Sequence, residues 1–226
     1  MKILVIEDEK QLSASICEYL INEQFITETA YEYYAAIEKI SLYDYACIIL
    51  DINLPNGSGL NILKELKANN KADGVIIISA KNSLDDKIVG LKAGADDYLT
   101  KPFHLPELGA RVAAVIRRKS FDGSNTIEFD DVKVNINARQ VFVNDKEIDL
   151  TKKEYDLLLY FISNKNRVIS KSAIAEHLWG DDMDLADNHD FIYTHIKNLR
   201  RKMLQQGTPD YVRSVYGLGY KFSLTK

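Results

Sequence analysis

Residues 46–59 read ACIILDINLPNGSG. The run Ala46–Leu50 is β-rich, and its centre, Ile48–Leu50, is apolar without alternation, as in a strand buried on both faces. It stops on a carboxylate, Asp51, and turn residues follow at once in Asn53, Pro55, Asn56 and Gly57. A charge at the end of a buried strand is either a solvated loop residue or part of a site on the sheet edge. The rest of the first half decides between these readings.

Working outward, the same arrangement recurs. Apolar runs at Lys2–Ile6, Phe25–Thr29, Val75–Ile78 and Asp97–Thr100 alternate with helical patterns at 10–22, 33–42, 58–69, 84–93 and 105–118. Five βα units in succession predict a parallel sheet with helices on both faces, a doubly wound α/β domain over residues 1–119. Glu7 and Asp8 follow the first strand, Asp51 ends the third, Ser79 ends the fourth and Lys101 follows the fifth. Ligands of open α/β sheets bind at the carboxyl ends of the strands, and all five residues fall there. One such residue is weak evidence; five of compatible type are a site.

The chemistry follows from charge. Three neighbouring carboxylates repel one another unless a cation sits among them. An all-oxygen set suits a hard divalent ion, Mg²⁺ above all. Such an ion offsets repulsion between Asp51 and an incoming phosphoryl group. Lys101 can supply a positive charge, and Ser79 a hydroxyl donor, to the phosphoryl oxygens.

Residues 119–125, KSFDGSN, break the periodicity, and 120–125 is read as a linker. In 126–226, short alternating strands are expected at Thr126–Phe129, Val132–Asn135, Gln140–Val143 and Glu147–Leu150, with turns at Asn137 and Asn144-Asp145. Thr151–Glu154 is a capping box opening a helix to about Ser163, and Ser170 caps another that runs to Trp179. After the loop 180–186, Asp187–Asp190 resembles a further helix start, and the chain closes in a hairpin containing Gly217 and Gly219. Sheet, three helices and hairpin together predict a winged helix-turn-helix.

The third helix, NHDFIYTHIKNLRRKML (188–204), carries Phe191, Ile192, Ile196, Leu199 and Met203 at three- and four-residue spacing, a core-facing stripe. Lys197, Asn198, Arg200, Arg201 and Lys202 occupy its other faces. Taken alone, that is a solvated basic helix. Third in order and followed by a glycine hairpin, it fits a recognition helix for the DNA major groove. Lys197 and Asn198 are the base-reading candidates, Arg200, Arg201 and Lys202 the phosphate contacts, and Lys221 the minor-groove residue on the wing. His195 is either packed or a phosphate contact.

The net charge of −4 is unevenly spread, because residues 188–226 carry seven basic against two acidic side chains. That points to one local anionic partner. No apolar run reaches a membrane span, and MKILVIEDE is no secretory signal. Cys17 and Cys47 lie among apolar neighbours without metal-ligand spacing, which fits buried thiols in a reducing compartment, the cytoplasm.

Four motifs in combination carry a resemblance: VIEDE (5–9), LDINLPNGSG (50–59), IIISA (76–80) and GADDYLTKPF (94–103). On these the chain resembles bacterial two-component response regulators of the OmpR/PhoB-like winged-helix subfamily, over nearly its whole length. The resemblance implies a flavodoxin-like receiver and a DNA-binding effector domain. Asp51 would take a phosphoryl group from a sensor histidine kinase. Asp8 and Asp51 would bind the metal directly, with the Asn53 backbone carbonyl, and Glu7 through water. Ser79 and Tyr98 match the switch pair, and the Lys101–Pro102 bond is expected to be cis. Phosphorylation would promote a homodimer, with Lys87–Glu107 and Asp97–Arg111 as pairs on its face, and binding to promoter DNA. Catalysis would be confined to the chain's own phosphoryl transfer and dephosphorylation. Val89 stands where many relatives have a basic residue, and Tyr193 where an acidic one is common, so no relative's DNA sequence preference carries over.

Three rivals remain. An aspartyl-phosphate hydrolase would place its nucleophile after the first strand, not the third. A flavin module needs a phosphate-cradling loop where EDEKQ (7–11) would repel one. A regulator that ignores phosphorylation is countered by the complete set Glu7, Asp8, Asp51, Ser79 and Lys101.

Overall fold

The continuous apolar runs become the strands of one parallel sheet. In the computed structural model the first half runs β1 (Lys2–Ile6), α1 (Lys10–Asn22), β2 (Ile26–Ala30), α2 (Tyr33–Leu42), β3 (Cys47–Asp51), β4 (Asn53–Leu54), β5 (Gly57–Ser58), α3 (Gly59–Ala68), β6 (Gly74–Ser79), α4 (Leu84–Lys92), β7 (Asp97–Thr100) and α5 (Leu105–Ser120). The strand order is β2-β1-β3-β6-β7, parallel throughout. This is the doubly wound α/β fold expected. Residues 1–69, 71–121, 123–136, 138–180 and 190–224 are described. Asn137, most of the loop 180–186 and the cap-like Asp187-Asn188-His189 lie outside them, as does the side chain of Phe191.

Period-two alternation sorts the sheet's side chains between two helical layers. Leu4, Ile6, Ile48, Leu50, Val75 and Ile77 pack with Ala36 and Ile40 of α2 and Ile62, Leu63 and Leu66 of α3. Ile3, Val5, Ile49, Ile76 and Ile78 alternate with them and are equally buried, and α1 and α5 pack together and on the strands. Each such side chain contributes roughly 1.5–3 kcal/mol by leaving water. That rigidity fixes the strand ends on which the polar residues sit.

The chain divides into two units, Met1–Gly123 and Ser124–Lys226. The second runs β8 (Thr126–Phe129), β9 (Val132–Asn135), β10 (Gln140–Val143), β11 (Lys146–Ile148), α6 (Lys152–Ser163), β12 (Val168–Ile169), α7 (Lys171–Trp179), α8 (Asp190–Leu204), β13 (Val212–Val215) and β14 (Gly219–Phe222). β8–β11 form an antiparallel meander. The capping box forms as expected: the Glu154 amide donates to Thr151 Oγ1 and the Thr151 amide to Glu154 Oε2. Ser170 caps α7 by accepting from the Ala173 amide.

The structure differs from the sequence reading in small elements. The last strand of the meander lies at 146–148 instead of 147–150, and two strands begin one residue later than expected, at Ile26 and Cys47. The terminal hairpin β13–β14 gains a third strand, β12, which pairs Val168 with Lys221 and Ile169 with Tyr220.

Candidate functional site

Because β1 lies between β2 and β3, the chain's direction of winding reverses there, and the crevice opens between the ends of β1 and β3. Glu7 and Asp8 follow β1, and Asp51 is the last residue of β3. Glu7 is 1% exposed, Asp51 4% and Ser79 0%, so these three are not solvated loop residues; Asp8 faces solvent. One carboxylate oxygen from each of Glu7, Asp8 and Asp51 lies within 4.8 Å of the others. Lys101 bridges two of them, Nζ standing 2.7 Å from Glu7 Oε2 and 2.6 Å from Asp51 Oδ2. The Lys101–Pro102 bond is cis.

The chain closes tightly around Asp51. The Asn53 amide donates to Asp51 Oδ1 at 2.9 Å, and Asn53–Leu54 pairs with Gly57–Ser58 in a small hairpin. Gly59 then passes so near the Asp51 carbonyl that a Cβ at this position would run into backbone. A glycine here is therefore a matter of space, and it lets Ser58 cap α3 directly beneath the site.

Electrostatically the cluster is short of positive charge. Burial raises the Glu7 carboxyl above its ordinary value; the Lys101 hydrogen bond opposes this and the Asp51 charge adds to it. Burial works against the charged Lys101, but its hydrogen bonds to Asp51 and Glu7 raise it overall, so the ammonium is firmly held. Three carboxylates facing one ammonium leave an excess of hard oxygen donors. That donor set fits a small divalent cation.

Ser79 and Tyr98 are connected through Lys81. Ser79 Oγ accepts the Lys81 amide at 3.2 Å, and the Tyr98 hydroxyl donates to the Lys81 carbonyl at 3.0 Å. The Tyr98 ring is buried, 8% exposed.

Of the residues expected to pair across a dimer face, Asp97, Glu107 and Arg111 meet within one chain. Within one chain Arg111 reaches both Asp97, at 2.9 Å, and Glu107, at 2.8 Å. No ion pair joins Lys87 to Glu107 among the described residues. Arg111 is thus already satisfied, and a partner subunit would have to compete with those contacts.

In the second unit, Ile192, Ile196, Leu199 and Met203 of α8 are buried, as the stripe predicted. Lys197 and Arg201 are exposed, and Asn198 and Lys221 half-buried. Arg200 and Lys202 are engaged elsewhere: Arg200 forks onto Asp210, and Lys202 bonds Glu154 at 2.7 Å and the Asp149 carbonyl at 2.8 Å. The capping glutamate of α6 therefore also anchors α8, a role its sequence neighbourhood does not announce. His195 packs against the Trp179 ring, 5.6 Å between centroids, and burial lowers its imidazole below the ordinary value. A groove of about 470 Å³ lies between α8 and β14, with Tyr193, Lys197, Arg201, Leu204 and Tyr220 on its walls.

Comparison with known proteins agrees with this architecture. Residues 3–113 match the response regulator receiver domain family, and residues 145–222 match the family described as transcriptional regulatory protein, C terminal. The chain is 37% identical over 218 residues to the response regulator ArlR of Staphylococcus haemolyticus, covering 96% of this chain and 97% of that one. It is 36% identical over 230 residues to the regulatory protein VanR of Enterococcus faecium, with 97% of each covered. Among solved structures, the receiver domain of the Francisella response regulator 1452 superposes with a TM-score of 0.51 at 38% identity, over 52% of this chain and 97% of that domain.

Proposed function

The chain belongs to the two-component response regulators of the OmpR/PhoB type, a receiver joined to a DNA-binding transcriptional regulatory domain, and from that premise we propose that Asp51 is its phosphoryl acceptor. The observation that carries this is the buried Asp51 at the end of β3, within reach of Glu7, Asp8 and the Lys101 ammonium. An Asp51 carboxylate oxygen attacks phosphorus, the phosphorus–nitrogen bond to a sensor kinase's phosphohistidine breaks, and an aspartyl phosphate forms. Asp8, Asp51 and the Asn53 backbone carbonyl would hold Mg²⁺, with Glu7 acting through water. When bound, the ion neutralises charge on the phosphoryl oxygens.

The chain's own groups do the rest. Lys101 meets the developing negative charge while keeping Glu7 and Asp51 from repelling each other. The Ser79 hydroxyl accepts one amide and keeps its own proton available for a phosphoryl oxygen. Drawing Ser79 toward the phosphoryl group pulls on Lys81, whose carbonyl holds Tyr98. The phosphorylated state then favours a symmetric dimer over the face that carries Lys87, Asp97, Glu107 and Arg111, and promoter DNA bound through α8 and the β13–β14 wing. Two linked copies on paired half-sites bind more tightly than one.

Sedimentation velocity with Mg²⁺ and acetyl phosphate tests this sequence of events. Wild type is expected to shift from monomer to dimer, and Asp51→Asn to stay monomeric. Equal sedimentation of the two proteins under those conditions would overturn the proposal.

A further inference from the structure

We propose that Gly90 is the seat of the Tyr98 ring, a positioning residue that couples the state of Tyr98 to the docking of α4. This rests on the reading that Tyr98 responds to the phosphoryl group. Gly90 is the only buried residue in α4, while Leu84, Ile88, Val89 and Leu91 are all exposed. A helix usually registers on a sheet through its apolar side chains. Here the register is set instead by an absence. A Cβ at Gly90 would lie 2.8 Å from Ile77 Cδ1 and 3.0 and 3.2 Å from Cδ2 and Cε2 of Tyr98.

Backbone conformation does not demand a glycine there. Gly90 sits inside the helix and is not among the glycines with positive φ. Alanine is also the better helix former, so α4 on its own would gain from the exchange. What the glycine supplies is the volume shared by the Tyr98 ring and the Ile77 Cδ1 methyl. The same tyrosine ties α4 a second time, because its hydroxyl holds the Lys81 carbonyl, two residues before the Ser83 cap of that helix. With no buried side chain of its own, α4 keeps its place only while the ring fills the hollow over Gly90.

The test uses the full chain labelled with 3-fluorotyrosine, the Tyr98 signal being assigned by its loss in Tyr98→Phe. Gly90→Ala is expected to gain the same phosphoryl mass as wild type from acetyl phosphate and Mg²⁺, because Gly90 touches none of the acidic residues. Its Tyr98 signal should become open to a soluble paramagnetic broadening agent, and its phosphorylation-driven association should weaken about tenfold or more, as the competent state becomes rare. A Tyr98 signal that stays protected, together with unchanged association, would overturn the proposal. Gly90→Ala/Ile77→Val removes the methyl nearest the new Cβ but keeps the ring contact, which covers the case in which the single variant folds poorly. If the ring contact matters, Tyr98 stays exposed in the double variant. If the double variant behaves as wild type, the contact was with Ile77 and the proposal falls. A wild type that takes up no phosphoryl group would contradict the Asp51 reading instead, while the Tyr98 signal would still decide whether Gly90 is the seat.

Discussion

Lys101 is held between Glu7 and Asp51 and, among the described residues, carries the only positive charge paired with the cluster. Replacing it by Gln removes the charge that the proposed phosphoryl transfer would use and leaves the carboxylates mutually repelled. We expect Lys101→Gln to slow phosphoryl uptake from acetyl phosphate about a hundredfold, the effect of losing one preorganised donor. Its affinity for Mg²⁺ should rise, because the carboxylates then lack their internal counter-charge. Uptake followed by mass and Mg²⁺ titration by calorimetry check the two halves; unchanged uptake would remove Lys101 from the mechanism. At this scale the sequence was legible where a residue's position alone defines it, as for Asp51 at the end of an apolar run. It was silent where a residue's partner is distant, as for Arg200 with Asp210 and Lys202 with Glu154. A basic helix face shows its charges, but not which of them the fold has already used.

At the scale of elements, α6 shows how one local signal can serve twice. Its capping box was readable from Thr151 and Glu154, but the same carboxylate holds Lys202 of α8. Burial pushes the Glu154 carboxyl up; hydrogen bonds from Lys202 and the Thr151 amide outweigh it, and the group titrates below its ordinary value. A carboxyl depressed on folding contributes its stability above the unfolded value and loses it as pH falls through the folded one. Glu154→Gln should therefore cost the second unit about 2 kcal/mol at neutral pH, and this deficit should shrink as pH falls below the ordinary glutamate range. Denaturation followed by the fluorescence of Trp179, the chain's one tryptophan and a residue of α7, reads this unit directly. A deficit that does not change with pH would refute the depressed carboxyl. Helices α6 and α7 announced themselves through the Thr151 and Ser170 caps, and α8 through three- and four-residue spacing. The two-residue strands β4, β5 and β12 did not, since two residues carry no period and their pairing depends on what lies opposite.

For the whole molecule, the uneven charge seen along the sequence becomes a statement about binding. No helix among the described residues is long and apolar enough to cross a membrane, and the last 39 positions carry a net positive charge, seven basic against two acidic side chains. Lys197 and Arg201 are exposed on α8, whereas Arg200 and Lys202 are committed to carboxylates. Arg201→Ala should thus weaken binding alike across DNA sequences and lower the salt dependence by about one unit of slope. Lys202→Ala should act mainly on stability. Anisotropy titrations of duplex DNA across a salt series separate the two, and a larger loss of slope from Lys202→Ala would reverse these roles.

The measurement that bears most directly on the account is the intact mass of wild type and Asp51→Asn after incubation with acetyl phosphate, with Mg²⁺ and with a chelator. One added phosphoryl group is expected on wild type with Mg²⁺, and none on Asp51→Asn or on either protein in chelator. Equal modification of Asp51→Asn, or uptake independent of the metal, would contradict it.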